Sequence, residues 1–308
     1  MARQWIKMGE ITTQGKFIGL LAKSDSLKLN RDVKLIEPAC NPAPVATVPG
    51  KLSVEGDIEM PLTPEDGIGE LLYAFFGQVN TTDNTDGSYS HAFELKPFDI
   101  PEFTIIKQVG GVQEKYTGMK VKSINISAKA DGDLAFTASL IGKAGELVTG
   151  ESEVACDLAP PIRVQNAVVE WGNIDVKAGS VEITIERDVD DGGYLLNNDP
   201  GLSLIPEGRL SATISIEALL DDATLLQDFL NGADKQLTIT LKGVQIPGST
   251  NTFELSFNIP NAVITDREKP TDAGNGLLIE KVEFAAIDEG SGLLTARLVN
   301  RIAAYPRT

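Results

Sequence analysis

The chain is poor in histidine: His91 is the only one in 308 residues. A lone imidazole leaves little room for Ser-His-Asp chemistry, and none for a multi-histidine metal centre. Cysteine is nearly absent too, with Cys40 and Cys156 alone. Two thiols make no disulfide framework and no paired zinc spacing, and they read as free, shielded thiols of a chain made in a reducing cytoplasm. Aromatic residues make up 6%, so stacking platforms for sugars or bases must be few. Positive charge is scarce: 27 Lys and Arg stand against 44 Asp and Glu, a formal net charge of −17. A protein that grips phosphates needs a basic patch, which excludes a basic nucleic-acid binder. Long apolar runs are missing as well. The stretch Phe17 to Ala22 falls far short of the roughly 20 residues that cross a bilayer. The first ten residues hold basic side chains but no apolar signal core, so the chain reads as soluble and not exported by a signal peptide.

What is present repeats. Ser26-Leu27-Lys28-Leu29-Asn30-Arg31-Asp32-Val33 is echoed by Val181-Glu182-Ile183-Thr184-Ile185-Glu186-Arg187-Asp188-Val189. Gly50-Lys51-Leu52-Ser53 is matched by Gly208-Arg209-Leu210-Ser211, and Ile58-Glu59 by Ile216-Glu217. Phe93-Glu94-Leu95 meets Phe253-Glu254-Leu255, and Thr137-Ala138-Ser139-Leu140 meets Thr295-Ala296-Arg297-Leu298. The period far exceeds that of a solenoid repeat, so each copy is expected to be a whole domain. The linker-like Asp157-Leu158-Ala159-Pro160-Pro161 sets the expected division at 1–155 and 156–308.

Within each copy the apolar residues alternate. Leu52, Val54, Ile58 and Met60 oppose Ser53, Glu55, Asp57 and Glu59; Leu210, Ala212, Ile214 and Ile216 oppose Ser211, Thr213, Ser215 and Glu217. This is the pattern of strands with one buried and one wet face. Helical spacing then takes over. Ile68, Leu71, Leu72, Phe75 and Phe76 follow Thr63-Pro64, read as an N-cap and first helical position, and Gly77 stops the helix. Asp221 to Leu230 reads the same way, stopped by Asn231-Gly232. Val121-Lys122-Ser123-Ile124 and Ile279-Glu280-Lys281-Val282 each break the alternation and predict a β-bulge, with turns at Asp131-Gly132-Asp133 and Glu289-Gly290-Ser291-Gly292. The fold class expected is mainly β: two tandem β-sandwich domains, each with one short packed helix.

The order of alternating strand, long loop, second strand, helix and closing hairpin resembles phage tail tube proteins, the major tail proteins of long-tailed bacterial viruses. The resemblance lies in pattern and order over residues 20–145 and 175–302, without a diagnostic short motif. It implies tail-tube-like sandwiches whose sheets join into a barrel around a channel for DNA, with rings stacked through long loops and terminal arms. Two units in one chain imply trimeric rings where single-unit members form hexamers. Partners implied are other copies of the chain and the tape-measure, tail terminator and tail tip proteins; the location implied is the virion tail, after synthesis in the bacterial cytoplasm. DNA would pass without specific binding. No cofactor, metal or catalytic residue is expected, nor membrane insertion.

On that basis the long loops and the arm Met1 to Lys16 become candidate ring-to-ring contacts: Pro38, Cys40, Pro42, Pro44, Val45 and Val48 in the first loop, and Tyr194, Leu195, Leu196, Leu202 and Leu204 in the second. The faces of Ser53, Glu55, Asp57 and Glu59 and of Thr213, Ser215 and Glu217 become candidate channel walls. Other readings stay open: a virion decoration or adhesion protein, or a carbohydrate-binding β-sandwich module. His91 reads as an exposed loop residue, Trp5 and Trp171 as packing anchors, Asn80-Thr81-Thr82 as an ordinary loop, and Asp188, Asp190 and Asp191 as a solvated turn rather than a calcium loop.

Overall fold

The computed structural model describes residues 4–10, 16–130, 134–156, 160–162, 167–189, 192–195, 200–220, 223–268, 271–272 and 278–307. The turn at 131–133, part of the linker, Asp190 and Asp191, Leu196 and half of the N-terminal arm (1–3 and 11–15) lie outside these residues; Gln4–Glu10 of that arm is a strand with Trp5, Ile6 and Met8 buried, paired on both sides within the first half, and not a projecting contact arm. The first half runs β1 (Gln4–Glu10), β2 (Ile18–Leu20), β3 (Ser24–Asp25), β4 (Lys28–Ile36), β5 (Ala46–Pro61), α1 (Ile68–Phe76), β6 (Gly77–Asp83), β7 (Tyr89–Leu95), β8 (Phe103–Val109), β9 (Val112–Lys129), β10 (Ala135–Gly142) and β11 (Ala144–Val148). The second half runs β12 (Ala167–Trp171), β13 (Ile174–Asp175), β14 (Ala178–Val189), β15 (Glu207–Leu219), α2 (Thr224–Asn231), β16 (Asp234–Gln245), β17 (Thr252–Arg267), β18 (Thr271–Asp272), β19 (Leu278–Ala286) and β20 (Thr295–Asn300). The protein is mainly β, as its period-2 patterning predicts.

One broad antiparallel sheet crosses both halves in the order β4-β5-β10-β9-β14-β15-β19-β17. The C-terminal part of β9 and the C-terminal part of β17 take part in it. Their N-terminal parts belong to covering sheets, β2-β1-β8-β9-β11 in the first half and β13-β12-β16-β17-β20 in the second. The pairing order of the second half therefore repeats that of the first. The hairpin β6–β7 is the exception: it has no counterpart after α2, and it extends the second half's covering sheet by pairing β7 with β20. A single apolar core runs through both halves, from Val54, Phe75 and Phe136 to Ile183, Ile214 and Phe284.

This topology sorts the sequence echoes. Arg31-Asp32-Val33 and Arg187-Asp188-Val189 occupy matching strands, and the register shifts at the same place in both. The Gly50 and Gly208 segments match in the same way. The later echoes do not. Phe93 lies in β7 but Phe253 in β17, and Thr137 lies in β10 but Thr295 in β20. Thr137 pairs with Glu59 as Lys281 pairs with Glu217, so the counterpart of β10 is β19. The bulges follow this corrected alignment. One skips Lys122 in β9 as predicted; the other skips Thr265 in β17, while residues 279–282 pair with β15 without a shift.

Both helices end on a glycine in the left-handed region, Gly77 at φ 83° and Gly232 at φ 60°. The start of α1 differs from expectation. Its N-cap is Gly67, and Thr63 to Asp66 form a turn instead of its first residues. Asp66 is drawn into tertiary structure, accepting the amide N–H of Leu21 at 2.7 Å. The apolar face of α1 is fully buried, and the C-terminal segment closes over it. Tyr305 lies so close to Gly69 that any Cβ there would meet its ring. Arg301 and Arg307 pair with Glu65 and Glu70. By contrast α2 has no fully buried residue.

His91 is buried rather than exposed. It sits in β7 between β6 and β20, with Nδ1 2.9 Å from Thr81 Oγ1, Nε2 3.1 Å from Asn300 Oδ1, and its ring edge-on to Tyr305. Asn80 is likewise in a strand, β6, not a loop. Trp5 and Trp171 are buried; Trp171 also donates from Nε1 to Asp228 at 2.8 Å. Cys40 is exposed, so it is not a shielded thiol.

Candidate functional site

Directly opposed residues of an antiparallel pair share a face. Following the pairs across the broad sheet collects one side: Lys28 and Asn30 of β4; Ser53, Glu55, Asp57 and Glu59 of β5; Thr137 and Ser139 of β10. It continues with Ser123, Asn125 and Ser127 of β9, then Glu182, Thr184 and Glu186 of β14, then Ser211, Thr213, Ser215 and Glu217 of β15, then Lys281 and Glu283 of β19. Apolar side chains enter this side at Ile141, opposite Glu55 and packed beneath the second loop, and at the Leu219–Ile279 pair beyond Glu217. Every residue expected on the two polar strand faces, Ser53 through Glu59 and Thr213 through Glu217, lies on this one surface. The opposite side is the core.

The face is organised by short polar contacts between neighbouring strands. Ser139 Oγ donates to Asp57 at 2.5 Å, Ser180 Oγ to Glu217 at 2.8 Å, and Asn125 Nδ2 to both Glu182 and Thr184 at 2.9 Å. Ser24 and Lys23 donate to Glu59, and these hydrogen bonds hold its carboxyl below the ordinary carboxylate range. Lys281 sits 3.2 Å from Glu283, which pushes its ammonium pKa up. Carboxylates outnumber the lysines, so the face is acidic as well as hydrophilic.

Among the described residues the sheet ends in two free edges, β4 and the end of β17 beyond Val263. Beyond the body, β4 and β5 continue as a projecting hairpin. The sequence reads residues 36–49 as a long loop; the structure keeps them strand to Ile36 and again from Ala46, leaving only 37–45 as the loop. Strand β4 is exposed along its whole length, and Val33, Leu35, Ile36, Val45 and Val48 carry apolar surface into solvent. Cys40, Pro42 and Pro44 are exposed at its end, and Pro38 is half-buried.

The second loop behaves differently. It folds back on the first half: Leu52 N–H donates to Pro200 O, and Leu202 N–H to Lys143 O. Tyr194 donates to Leu52 O at 3.1 Å beneath the Lys51 ammonium. Leu202 is 3% exposed, packed with Ile141, Val189 and Ile205. It is thus unavailable to another molecule, unlike the expected contact it was read as, whereas Leu195 and Leu204 remain exposed.

Where the halves meet, the main anchor is a residue that the sequence analysis does not single out as a site. Arg187 is wholly buried and crosses into the first half. Its guanidinium donates to the carbonyls of Pro97 at 2.7 Å, Lys96 at 2.8 Å and Phe75 at 3.3 Å, and stands 3.8 Å from Glu207. Burial pushes its pKa down, with Glu207 opposing that shift. Glu207 in turn binds Lys120. The signal was in the Arg-Asp-Val echo, where an arginine stands on the apolar side of an alternating strand. A second tie joins loop 84–88 to loop 249–251, where Asp86 accepts from Ser249, Thr250 and Asn251.

Among the described residues no three His, Cys, Asp or Glu side chains gather into a metal site, and no helix is long and apolar enough to cross a membrane. A model of the phage tail tube protein family matches residues 41–286, and the chain belongs to that family. No curated protein matches it.

Proposed function

We propose that the chain is the repeating subunit of a phage tail tube, a structural role without catalysis. Each half supplies one tube unit, and three chains close a ring of six units. The observation that carries this reading is the β9–β14 ladder, which runs the broad sheet unbroken from one half to the next and leaves free edges only at its two ends. Free edges are a liability that ring closure removes. Contacts that close by rotation give rings, and a second, non-closing contact stacks them into a filament.

The acidic face lines the channel in this reading. DNA carries dense negative charge, and a wall that repels it lets the polymer slide instead of binding. The exposed β4–β5 hairpin, with Val33, Leu35, Val45 and Val48, makes the stacking contact to the adjacent ring, with Leu195 and Leu204 as further contacts. Tape-measure, terminator and tip proteins then meet the tube within the virion, after synthesis in the host cytoplasm. Electron microscopy of the purified protein tests the reading: rings or tubes are expected, and dispersed monomers at all concentrations would refute it. Shortening the loop by deleting residues 39–44 should leave rings that do not stack; normal tubes from that variant would remove the hairpin from the contact.

A further inference from the structure

The joint inside the chain is a template for the joint between chains. β14 corresponds to β4, because Glu186 opposes Ser211 as Asn30 opposes Ser53. The C-terminal part of β17 corresponds to that of β9, because Asp266 opposes Glu283 as Ser123 opposes Ser139. Within the chain β9 pairs with β14, Ser123 facing Glu186 and Asn125 facing Thr184. The free counterparts of these two strands are the two free edges.

We infer that Arg31 of one chain is the staple that locks it to a second copy, docking on the C-terminal end of the second copy's α2 as Arg187 docks on α1. This rests on the tube reading above and specifies its chain-to-chain contact. Four observations carry it. Arg31 and Arg187 share the Arg-Asp-Val sequence and the same register shift, yet Arg187 is buried on three carbonyls and Arg31 is exposed, with no side-chain partner among the described residues. Leu29 is 39% exposed where its counterpart Ile185 is 0% exposed, so the core side of β4 lacks a cover that the same side of β14 has. Neither helix carries a basic residue in its last turn; α1 receives Arg187 at Phe75 O, two residues before its cap glycine, while the other two carbonyls that Arg187 binds, Lys96 and Pro97, follow the β6–β7 hairpin and have no counterpart in the second half, so the helix end is the part of the dock that α2 can offer; among the described residues no side chain binds the equivalent Leu230 O, and Leu230 is 72% exposed. The C-terminal end of a helix attracts a cation. Finally, the transferred register places Lys28 opposite Glu268 and Asn30 opposite Asp266, a complementary pairing across the new edge.

The test uses the full chain with Cys40→Ser and Cys156→Ser. Adding Asn30→Cys and Asp266→Cys together should give, on mild oxidation, a ladder of covalently linked chains, since directly opposed strand residues are within disulfide reach. Lys28→Cys with Asp266→Cys, two residues out of register, should link at least tenfold less. Separately, Arg31→Ala should raise the concentration needed for assembly at least tenfold without changing the melting of the free chain, and Arg31→Lys should recover part of the loss. Tubes that form normally with Arg31→Ala, or that cross-link equally well out of register, would overturn this joint and leave the tube reading intact. A parent protein that never forms rings would overturn both.

Discussion

Replacing Arg187 by alanine removes the tie that the two halves share. In the folded chain the guanidinium satisfies three carbonyls, Phe75, Lys96 and Pro97, in surroundings where water has no access, and it stands over the Phe75 ring. Each carbonyl left without a donor costs about 1–3 kcal/mol. Glu207 keeps Lys120 and the Ile100 amide, so it is not stranded. Water entering the vacated space recovers part of the loss. The net expected cost is about 3–5 kcal/mol, the range found when one partner of a buried charged contact is deleted. That is a large share of a typical stability of about 5–15 kcal/mol. Arg187→Lys, one ammonium in place of a five-donor fork, should cost about half as much. Urea unfolding of the unassembled chain reads the effect, with Trp5 reporting on the first half and Trp171 on the second. Arg31→Ala is the internal control: an exposed arginine should cost less than about 0.5 kcal/mol in the free chain. An Arg187→Ala cost below about 1 kcal/mol would refute the view that this side chain holds the halves together.

Acid should weaken the chain in two steps. Burial lowers the His91 pKa, so the folded state keeps the ring neutral while the unfolded chain takes up a proton below about 6.5; stability falls as pH drops through that value, by at most about 1.4 kcal/mol per pH unit, and His91→Gln should remove this slope from pH-dependent urea titrations. Hydrogen bonds from Ser249 and Ser88 hold the Asp86 carboxyl well below its ordinary 3.8, so its contribution is present above that value and lost as pH falls towards the depressed one; Asp86→Asn should flatten the profile below pH 4. On the polar face, Glu55→Lys, Asp57→Lys and Glu59→Lys together should permit assembly but slow DNA passage in ejection assays, most at low salt because charges are screened beyond about 8 Å at physiological ionic strength. Unchanged ejection at low salt would show that this face does not meet DNA. Val33→Asp with Leu35→Asp should leave the melting of the free chain unchanged and abolish tube growth in sedimentation assays.

The broad sheet was legible because its strands are half-buried. Alternation in Leu52 to Glu59 and Leu210 to Glu217 names both the strand and its wet face, and the helices announce themselves by spacing and a terminal glycine. The second half of the repeat was misaligned for a physical reason. Any half-buried strand can show a pattern such as Thr-Ala-x-Leu, so the match of β10 to β20 carried little information. The hairpin β6–β7, present only in the first half, shifts the true correspondence to β19. Burial of His91 was illegible because it depends on β20, some two hundred residues away, pairing with β7. Leu202 was misjudged similarly: an apolar residue in a long loop looks exposed until the loop folds back on Ile141 and Val189. The Arg187 staple was visible only as an oddity, a charged residue on the apolar side of a strand.

Symmetry-averaged electron microscopy of the assembled protein tests the central claim most directly. The account predicts rings of three chains with six similar units, the β5 and β15 carboxylates turned to the channel, and β4 of each chain laid against the end of β17 in the next. Rings of six chains, or a map with Glu55, Asp57 and Glu217 on the outer surface, would contradict it.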